Sequence, residues 1–214
     1  MALSLMININ PHDYAENFIS ETVIQQHARA RGIEIGVVDV TPGVGAYLRH
    51  LAHLLSAQSV VEVGTSAGVG ALWLLDGMIK SGTLTSIADE MEHTTVAKYA
   101  LEDAGIAPSR YRLITSPVVD VMTKLADRAY DMVVLRHDPE DLSFAIAESH
   151  RMLRSGGVMV IDNFFRGGKV PDPTQRDPKT IALREAGKTV KNDSESWVSS
   201  LIPVGDGVLL ATKL

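Results

Sequence analysis

The 214-residue sequence contains no cysteine, which excludes a disulfide framework, a zinc site built from thiolates and a cysteine nucleophile. No apolar run approaches the roughly 18–20 residues that a membrane-spanning helix needs. Residues 1–10 lack the basic start and the long apolar centre of a signal peptide. These absences predict a cytoplasmic protein with no membrane partner.

Positive charge is also scarce. The 20 Lys and Arg residues are outnumbered by 26 Asp and Glu, so the formal net charge is −6. An acidic surface argues against a protein that grips nucleic acid over its whole face, and we expect a small-molecule substrate instead. The contents of 45% hydrophobic and 21% charged residues are ordinary for globular proteins, and the length predicts one domain spanning 1–214.

One stretch organises the chain. An apolar, β-branched run at 60–63 is followed by a turn with Gly64, Gly68 and Gly70, and then by an apolar helix. Glycine lets a backbone come close to a ligand, and a helix N-terminus offers unpaired N–H groups to an anion. The spacing differs from the dinucleotide fingerprint. It predicts a nucleotide-like ligand at the end of the first strand, with Glu62 just before the turn.

Strand and helix patterns alternate five times along the chain. We predict strands at 58–63, 83–87, 111–115, 130–135 and 158–162, and helices at 68–80, 92–104, 118–126, 141–154 and 178–191. Two further strands, at 197–203 and 208–212, flank a hairpin turn at 205–207. Alternation of this kind predicts a Rossmann-like, doubly wound α/β fold. Its seven-stranded sheet is mostly parallel, with an antiparallel strand in the C-terminal hairpin.

Extra helices precede the first strand. A helix is predicted over 14–31 and stopped by Gly32, and another begins at Pro42 with Thr41 as its N-cap. We assign 1–57 to an N-terminal helical cap and 58–214 to the sheet core that holds the cofactor. The first helix is interpreted as packing on the sheet, with a lid over a ligand or a dimer contact as alternatives.

Four motifs occur in a recognisable order: the glycine turn at 61–68, Arg-Ser-Gly-Gly followed by Asp-Asn at 154–163, Gly-Gly-Lys-Val at 167–170 and the hairpin turn at 205–207. They make the chain, from about residue 41 onward, resemble class I S-adenosylmethionine-dependent methyltransferases. More narrowly, it resembles the O-methyltransferase family of catechol and caffeoyl-CoA methyltransferases. The resemblance implies O-methylation of a small hydroxylated substrate, catechol-like or acidic, by a protein that forms homodimers.

The resemblance also implies which residues contact the cofactor S-adenosylmethionine. They lie in the glycine turn, before the second N-terminal helix and at the ends of strands two to four: Val40, Glu62, Gly64, Thr65, Ser66, Gly68, Gly70, Asp89, Ser116 and Asp138. Glu62 would bind the amino acid part of the cofactor, directly or through water, or else only cap a turn. The ribose-binding acid of the family is replaced by Ala88, so we expect Asp89, or alternatively Glu90, to bind the ribose.

The family holds a divalent cation with an Asp after strand four and an Asp-Asn pair after strand five. Asp162 and Asn163 retain the pair as candidate metal ligands, and such oxygen ligands suit Mg²⁺. The strand-four position is Arg136, whose charge opposes a divalent ion. The sequence therefore predicts an incomplete Mg²⁺ site and a methyltransferase that can work without metal.

Three consecutive residues are the catalytic candidates. Arg136 would bind an acidic substrate in place of the metal, and His137 could act as a base near neutral pH. Asp138 would replace the missing ligand or contact the cofactor. The family's lysine, a candidate general base, is Pro139 here.

Two other functions stay open. Cations in the loop at 164–177 (Arg166, Lys169 and Arg176) would suit a methyltransferase that acts on a tRNA nucleoside. Loss of the third metal ligand and of the lysine would suit a non-catalytic protein that binds S-adenosylmethionine.

Overall fold

The computed structural model describes residues 10–214, so residues 1–9 of the predicted cap lie outside the described part. The helices are α1 (Pro11–Glu16), α2 (Val23–Glu34), α3 (Pro42–Leu54), α4 (Val69–Gly77), α5 (Met91–Asp103), α6 (Val118–Met122), α7 (Leu142–Met152) and α8 (Pro178–Asn192). The strands are β1 (Ser59–Val63), β2 (Thr83–Ala88), β3 (Tyr111–Thr115), β4 (Tyr130–Leu135), β5 (Leu153–Ile161), β6 (Trp197–Ile202) and β7 (Val208–Lys213).

The seven strands form one sheet in the order β3-β2-β1-β4-β5-β7-β6. Strands β1 to β5 are parallel, and β7 lies antiparallel to both β5 and β6. The predicted fold class is therefore confirmed. Strand order reverses between β1 and β4, and open α/β sheets bind ligands at the carboxyl ends of the strands beside such a reversal.

Helices cover both faces of the sheet because its central strands are buried on both sides. Alternate residues of β1 face opposite layers. Val60 packs in a cluster with Leu48 of α3 and Leu74 of α4, whereas Val61 packs in a second cluster with Ile146 of α7 and Leu183 of α8. The layers hold the β1 and β4 ends in place from both sides.

The prediction of one helix over 14–31 is wrong, because the chain breaks it into α1 and α2. Thr22 and Gln25 form a capping box, in which each side chain bonds to the other residue's backbone N–H. Such a box starts a new helix at Val23.

Gly32 does not stop α2, which continues to Glu34. A Cβ on Gly32 would lie 2.9 Å from the Cβ of Ala67 in the glycine turn. This glycine therefore allows close packing between α2 and the turn, and the chain reverses instead near Gly36, whose φ is +74°.

The second N-terminal helix begins as predicted, since the Thr41 side chain accepts a hydrogen bond from the Val44 N–H at 3.3 Å. Strand β5 begins earlier than predicted, so the pair Gly156 and Gly157 lies inside it beside a register shift in its pairing with β4. Glycine in a strand often marks such an irregularity. Within residues 10–214, no helix combines the length and the apolar character needed to cross a bilayer.

Candidate active site

The glycine turn after β1 is held tightly against the end of β4. Gly64 has a φ of +100°, and a Cβ there would lie 2.5 Å from the backbone oxygen of Arg136. Gly68 has a φ of +90° at the N-cap of α4 and offers no capping side chain. Only glycine adopts a positive φ and also allows so close a contact without strain. Because Gly68 has no side chain to cap α4, the first amides of the helix need a hydrogen-bond acceptor from another residue.

Asp39 supplies that partner and was missed by the sequence analysis. Its side chain is buried, and its two carboxylate oxygens accept hydrogen bonds from the Ala67 N–H at 2.9 Å and the Gly70 N–H at 3.4 Å. A carboxylate at a helix N-terminus is favourable. The available signal was an acidic residue inside an otherwise apolar stretch at 37–40.

Arg136 follows β4 and lies with its side chain only 3% exposed. Its Nε donates to Asp162 Oδ2 at 2.9 Å, and its Nη1 lies 3.5 Å from Asp39 Oδ1. The guanidinium also donates to the Ser66 hydroxyl at 3.2 Å and to the Val38 carbonyl at 3.0 Å. An acidic substrate would have to displace these side-chain and backbone partners from the guanidinium. The arrangement therefore does not favour the predicted substrate-binding role of Arg136.

The donor set does not fit a divalent metal. Asp162 is buried and already paired with Arg136, Asn163 is exposed, and the third position carries a fixed positive charge. Within residues 10–214, no group of three His, Asp or Glu side chains could hold a metal ion. Burial raises the pKa of Asp162, and the nearby Arg136 opposes that rise.

Glu62 lies beneath the glycine turn and is completely buried. Its Oε2 accepts a hydrogen bond from the Ser86 hydroxyl at 2.6 Å, and Ser86 also contacts the Thr65 hydroxyl at 2.8 Å. Burial raises the pKa of Glu62 to about 8, against the lowering effect of Ser86. Neither Glu62 nor Thr65 belongs to the lining of the two cavities at this end of the sheet, so their cofactor contacts stay predictions.

A first cavity of about 270 Å³ opens at the ends of β1, β2 and β4. Four predicted cofactor residues line it, namely Gly64, Ser66, Asp89 and Asp138, together with Glu90. The other six lie outside its lining: Val40, Glu62, Thr65, Gly68, Gly70 and Ser116. Residues that line this cavity and residues that pack behind it alternate within the glycine turn. The sequence alone therefore could not distinguish the two groups.

Both candidate ribose acids lie at the rim of the first cavity. Asp89 accepts a hydrogen bond from the Val118 N–H at 3.2 Å, and its other oxygen lies 3.6 Å from Nδ1 of His137. Nε2 of His137 lies 3.3 Å from Asp141. His137 thus lies between two carboxylates, one from each side of its ring, and its predicted role as a base stays a prediction.

Asp138 forms an ion pair with Lys179 in the first turn of α8. Although burial acts to raise it, the pKa of Asp138 is lowered by hydrogen bonds from Lys179 and from the Glu140 N–H. The sequence analysis missed Lys179 because it lies 41 residues away. The lysine that the family has at Pro139 is absent from that position, but the fold brings another one nearby.

A second cavity, of about 310 Å³, adjoins the first and shares Arg136, His137 and Asn163 with it. Five of the eleven residues in its lining are apolar: Leu135, Pro139, Leu142, Ile161 and Leu183. Three more polar residues complete the lining: Asp162, Arg166 and Asp206. A polar cavity at the glycine turn beside one whose wall is partly apolar suits a charged donor molecule next to a less polar acceptor.

Comparisons with known proteins identify the family of this chain. Residues 12–214 match the model of a family described as O-methyltransferase. A Mycobacterium marinum relative named "Putative O-methyltransferase" is 48% identical over 200 residues, which cover 94% of this chain and 89% of the relative.

Solved structures are also similar. A cofactor-bound Mycobacterium tuberculosis protein, Rv0187, superposes with a TM-score of 0.86 at 26% identity and covers 96% of this chain and 98% of its own. TomG from Streptomyces achromogenes, an O-methyltransferase solved in complex with S-adenosylmethionine, has a TM-score of 0.83 at 24% identity, with 94% of each chain covered. From its matched family model and its relatives, this chain belongs to the O-methyltransferase family.

Proposed function

We propose that this chain transfers the methyl group of S-adenosylmethionine to a hydroxyl group of a small molecule, without a divalent metal. The proposal is carried by one observation: the guanidinium of Arg136 lies against Asp162, between the two adjoining cavities. When bound, S-adenosylmethionine supplies an electrophilic methyl group on a sulfonium. Alignment of a hydroxyl oxygen with that methyl group can account for much of the catalysis.

The first cavity fits the methyl donor. Gly64 and Ser66 would lie against its amino acid part, and Asp89 or Glu90 would accept hydrogen bonds from the ribose hydroxyls. The apolar side chains of Ile87 and Val118 line the same cavity and would wall the adenine. TomG has the same fold and was solved in complex with S-adenosylmethionine, which supports S-adenosylmethionine as the ligand.

The test is transfer of an isotopically labelled methyl group to hydroxylated aromatic compounds, with and without EDTA. We expect equal rates in both conditions, since no step needs a divalent ion. Calorimetry with S-adenosylmethionine in EDTA should show one binding event. Activity that disappears in EDTA and returns with Mg²⁺ would contradict the metal-independent part of the proposal.

Transfer to bulk tRNA is the second function to test. One of the loop cations that would favour it, Arg166, is bonded internally to Asp177 and Thr180 at 2.7 Å each. The net charge of −6 also disfavours binding of a polyanion such as tRNA. We therefore expect labelling of the small molecules and not of tRNA. A protein that binds the donor but labels no acceptor would instead be non-catalytic.

The oligomeric state belongs to the same proposal. We expect a homodimer, and sedimentation equilibrium should give twice the 23.1 kDa mass of the chain.

A further inference from the structure

Two buried side-chain oxygens in residues 10–214 have no hydrogen-bond partner, Oε1 of Glu62 and Oδ1 of Asp162. Glu62 lies under the glycine turn, but Asp162 lines the second cavity with its side chain 2% exposed. Burial raises the pKa of Asp162; the Asn163 N–H acts against that rise but donates no hydrogen bond to Oδ1. A buried acceptor without a donor is energetically unfavourable, and a hydrogen bond from a ligand or a water would remove that cost.

The other charged groups of this cavity already have partners in the chain. Arg136 is bonded to Asp162, Asp39 and backbone groups, and Arg166 is bonded to Asp177 and Thr180. Oδ2 of Asp206 accepts the Gly167 N–H at 2.6 Å. His137 lies between two carboxylates. Oδ1 of Asp162 is thus the buried acceptor of the cavity that the described part of the chain leaves open.

We propose that the methyl acceptor is an aromatic compound whose reacting hydroxyl donates a hydrogen bond to Oδ1 of Asp162, and that one hydroxyl suffices. Oδ1 takes the proton of that hydroxyl when its oxygen accepts the methyl group, and S-adenosylhomocysteine is left. This inference rests on the proposed function and names the substrate class. The five apolar side chains of the wall suit a ring. A vicinal diol gains from a cation that binds both oxygens, and the cation here is a guanidinium buried among its own partners.

Three matched compounds test the inference by calorimetry, in EDTA and with S-adenosylhomocysteine present. They are naphthalene, 2-naphthol and 2,3-dihydroxynaphthalene, which differ only in their hydroxyl groups. A hydrogen bond to a charged group contributes about 1.5–3 kcal/mol, or roughly 10- to 150-fold in affinity. We therefore expect 2-naphthol to bind at least tenfold more tightly than naphthalene. The diol should bind within threefold of 2-naphthol.

Asp162→Asn tests the named atom, because an amide oxygen is a weaker acceptor than a carboxylate. The advantage of 2-naphthol over naphthalene should fall below threefold, while affinity for S-adenosylhomocysteine stays unchanged. Leu142→Ala serves as the second variant, since Leu142 belongs to the apolar wall. It should weaken both compounds by the same factor and leave the hydroxyl advantage intact, which keeps the test decisive if the Asp162 variant does not fold.

Three results would overturn the inference: no saturable binding of 2-naphthol, equal binding of 2-naphthol and naphthalene, or a diol bound tenfold more tightly. These are binding results, so they are separate from the proposed function. If 2-naphthol binds as expected but no methyl group is transferred to it or to any other hydroxylated acceptor, the proposed function fails and the binding site stands.

Discussion

Asp39, Arg136 and Asp162 are three charged side chains buried together at the junction of the two cavities. Removal of one member of a buried ionic group leaves its partners without compensation, which costs about 3–5 kcal/mol. Removal of Arg136 would leave two buried carboxylates, Asp39 and Asp162, without their positive partner. The pair of Arg136 and Asp162 is thus a structural element as well as a wall of the site.

We predict that Arg136→Ala lowers the free energy of unfolding by about 3–5 kcal/mol, measured by urea denaturation. Arg112→Ala is the matched control, because Arg112 is exposed on β3, and its effect should stay within about 0.5 kcal/mol. A loss below about 1 kcal/mol in Arg136→Ala would show that the two acids do not depend on this arginine.

Glu62 makes stability depend on pH. Its pKa rises from 4.5 to about 8 on folding, so the folded state favours the protonated acid. The stabilising effect of this proton is complete below the unfolded pKa and is lost as pH rises through the folded value. Between those two values the free energy of unfolding should fall by at most about 1.4 kcal/mol per pH unit through this group.

We predict that Glu62→Gln gains stability relative to the parent protein at pH 8.5 and much less at pH 5, since glutamine cannot ionise. Thermal denaturation at the two pH values measures this. Glu195→Gln, at an exposed position, should show no such difference. An equal effect of Glu62→Gln at both pH values would mean that Glu62 is ionised throughout.

At the scale of elements, two helical glycines show how closely helices pack on their neighbours. A Cβ on Gly77, at the end of α4, would lie 2.2 Å from the backbone oxygen of Arg49 in α3. A Cβ on Gly187, within α8, would lie 2.7 Å from the tip of the Phe164 ring. A backbone group cannot move aside as an aromatic side chain can.

We therefore predict that Gly77→Ala costs about 1–3 kcal/mol of unfolding free energy. Gly187→Ala should cost less, because alanine also favours a helix interior by about 1 kcal/mol and the Phe164 ring can shift. Chemical denaturation of both variants compares them directly. A larger loss of stability in Gly187→Ala than in Gly77→Ala would place the rigid contact at α8 and not between α3 and α4.

Glu16 links three elements near the second cavity. Its carboxylate accepts hydrogen bonds from the Gly43 N–H in α3 at 3.2 Å and from the Gly205 N–H at 2.5 Å. Gly205 belongs to the turn between β6 and β7, next to Asp206 of the cavity lining. One side chain of α1 thereby holds the hairpin turn beside the site.

Glu16→Ala should release the amide of Gly205, and its hydrogen exchange should become faster by about tenfold, the equivalent of about 1.4 kcal/mol of lost protection. Asp13→Ala on the exposed face of the same helix is the control and should leave that amide unchanged. Unaltered exchange in Glu16→Ala would mean that the hairpin turn holds its position without α1.

At the scale of the whole molecule, the cap and the sheet share one apolar layer. Helix α3 packs on α4, and α2 packs on both α4 and α5. Trp73 lies in this layer, whereas Trp197 lies in the layer on the opposite face of the sheet. Because both layers meet on the same strands, we propose that residues 10–214 form a single domain.

We predict that the fluorescence of Trp73 and that of Trp197, each observed after Trp→Phe substitution of the other, report the same unfolding midpoint. Saturating S-adenosylmethionine should shift both midpoints together, since ligand at 100 times its Kd stabilises a fold by about 2.7 kcal/mol. Two separate midpoints would divide the chain into independent units.

The alternation of elements, the glycine turn and the hairpin turn at 205–207 were all predictable, because each depends on residues within a few positions of one another. The same holds for the start of α3, where Thr41 caps its own helix. The break between α1 and α2 was predictable in principle from the capping box at Thr22. Apolar spacing alone concealed it.

The family, the sheet and the end of the sheet that carries the candidate site all follow from local sequence patterns. Tertiary structure decided which side chains form it. Arg136 meets Asp162 and Asp39 from 26 and 97 residues away, and Lys179 reaches Asp138 across 41 residues. Local sequence patterns predict which backbone conformation is favourable, because they depend on neighbouring residues. The partner of a buried charge depends instead on which strand ends the sheet places side by side.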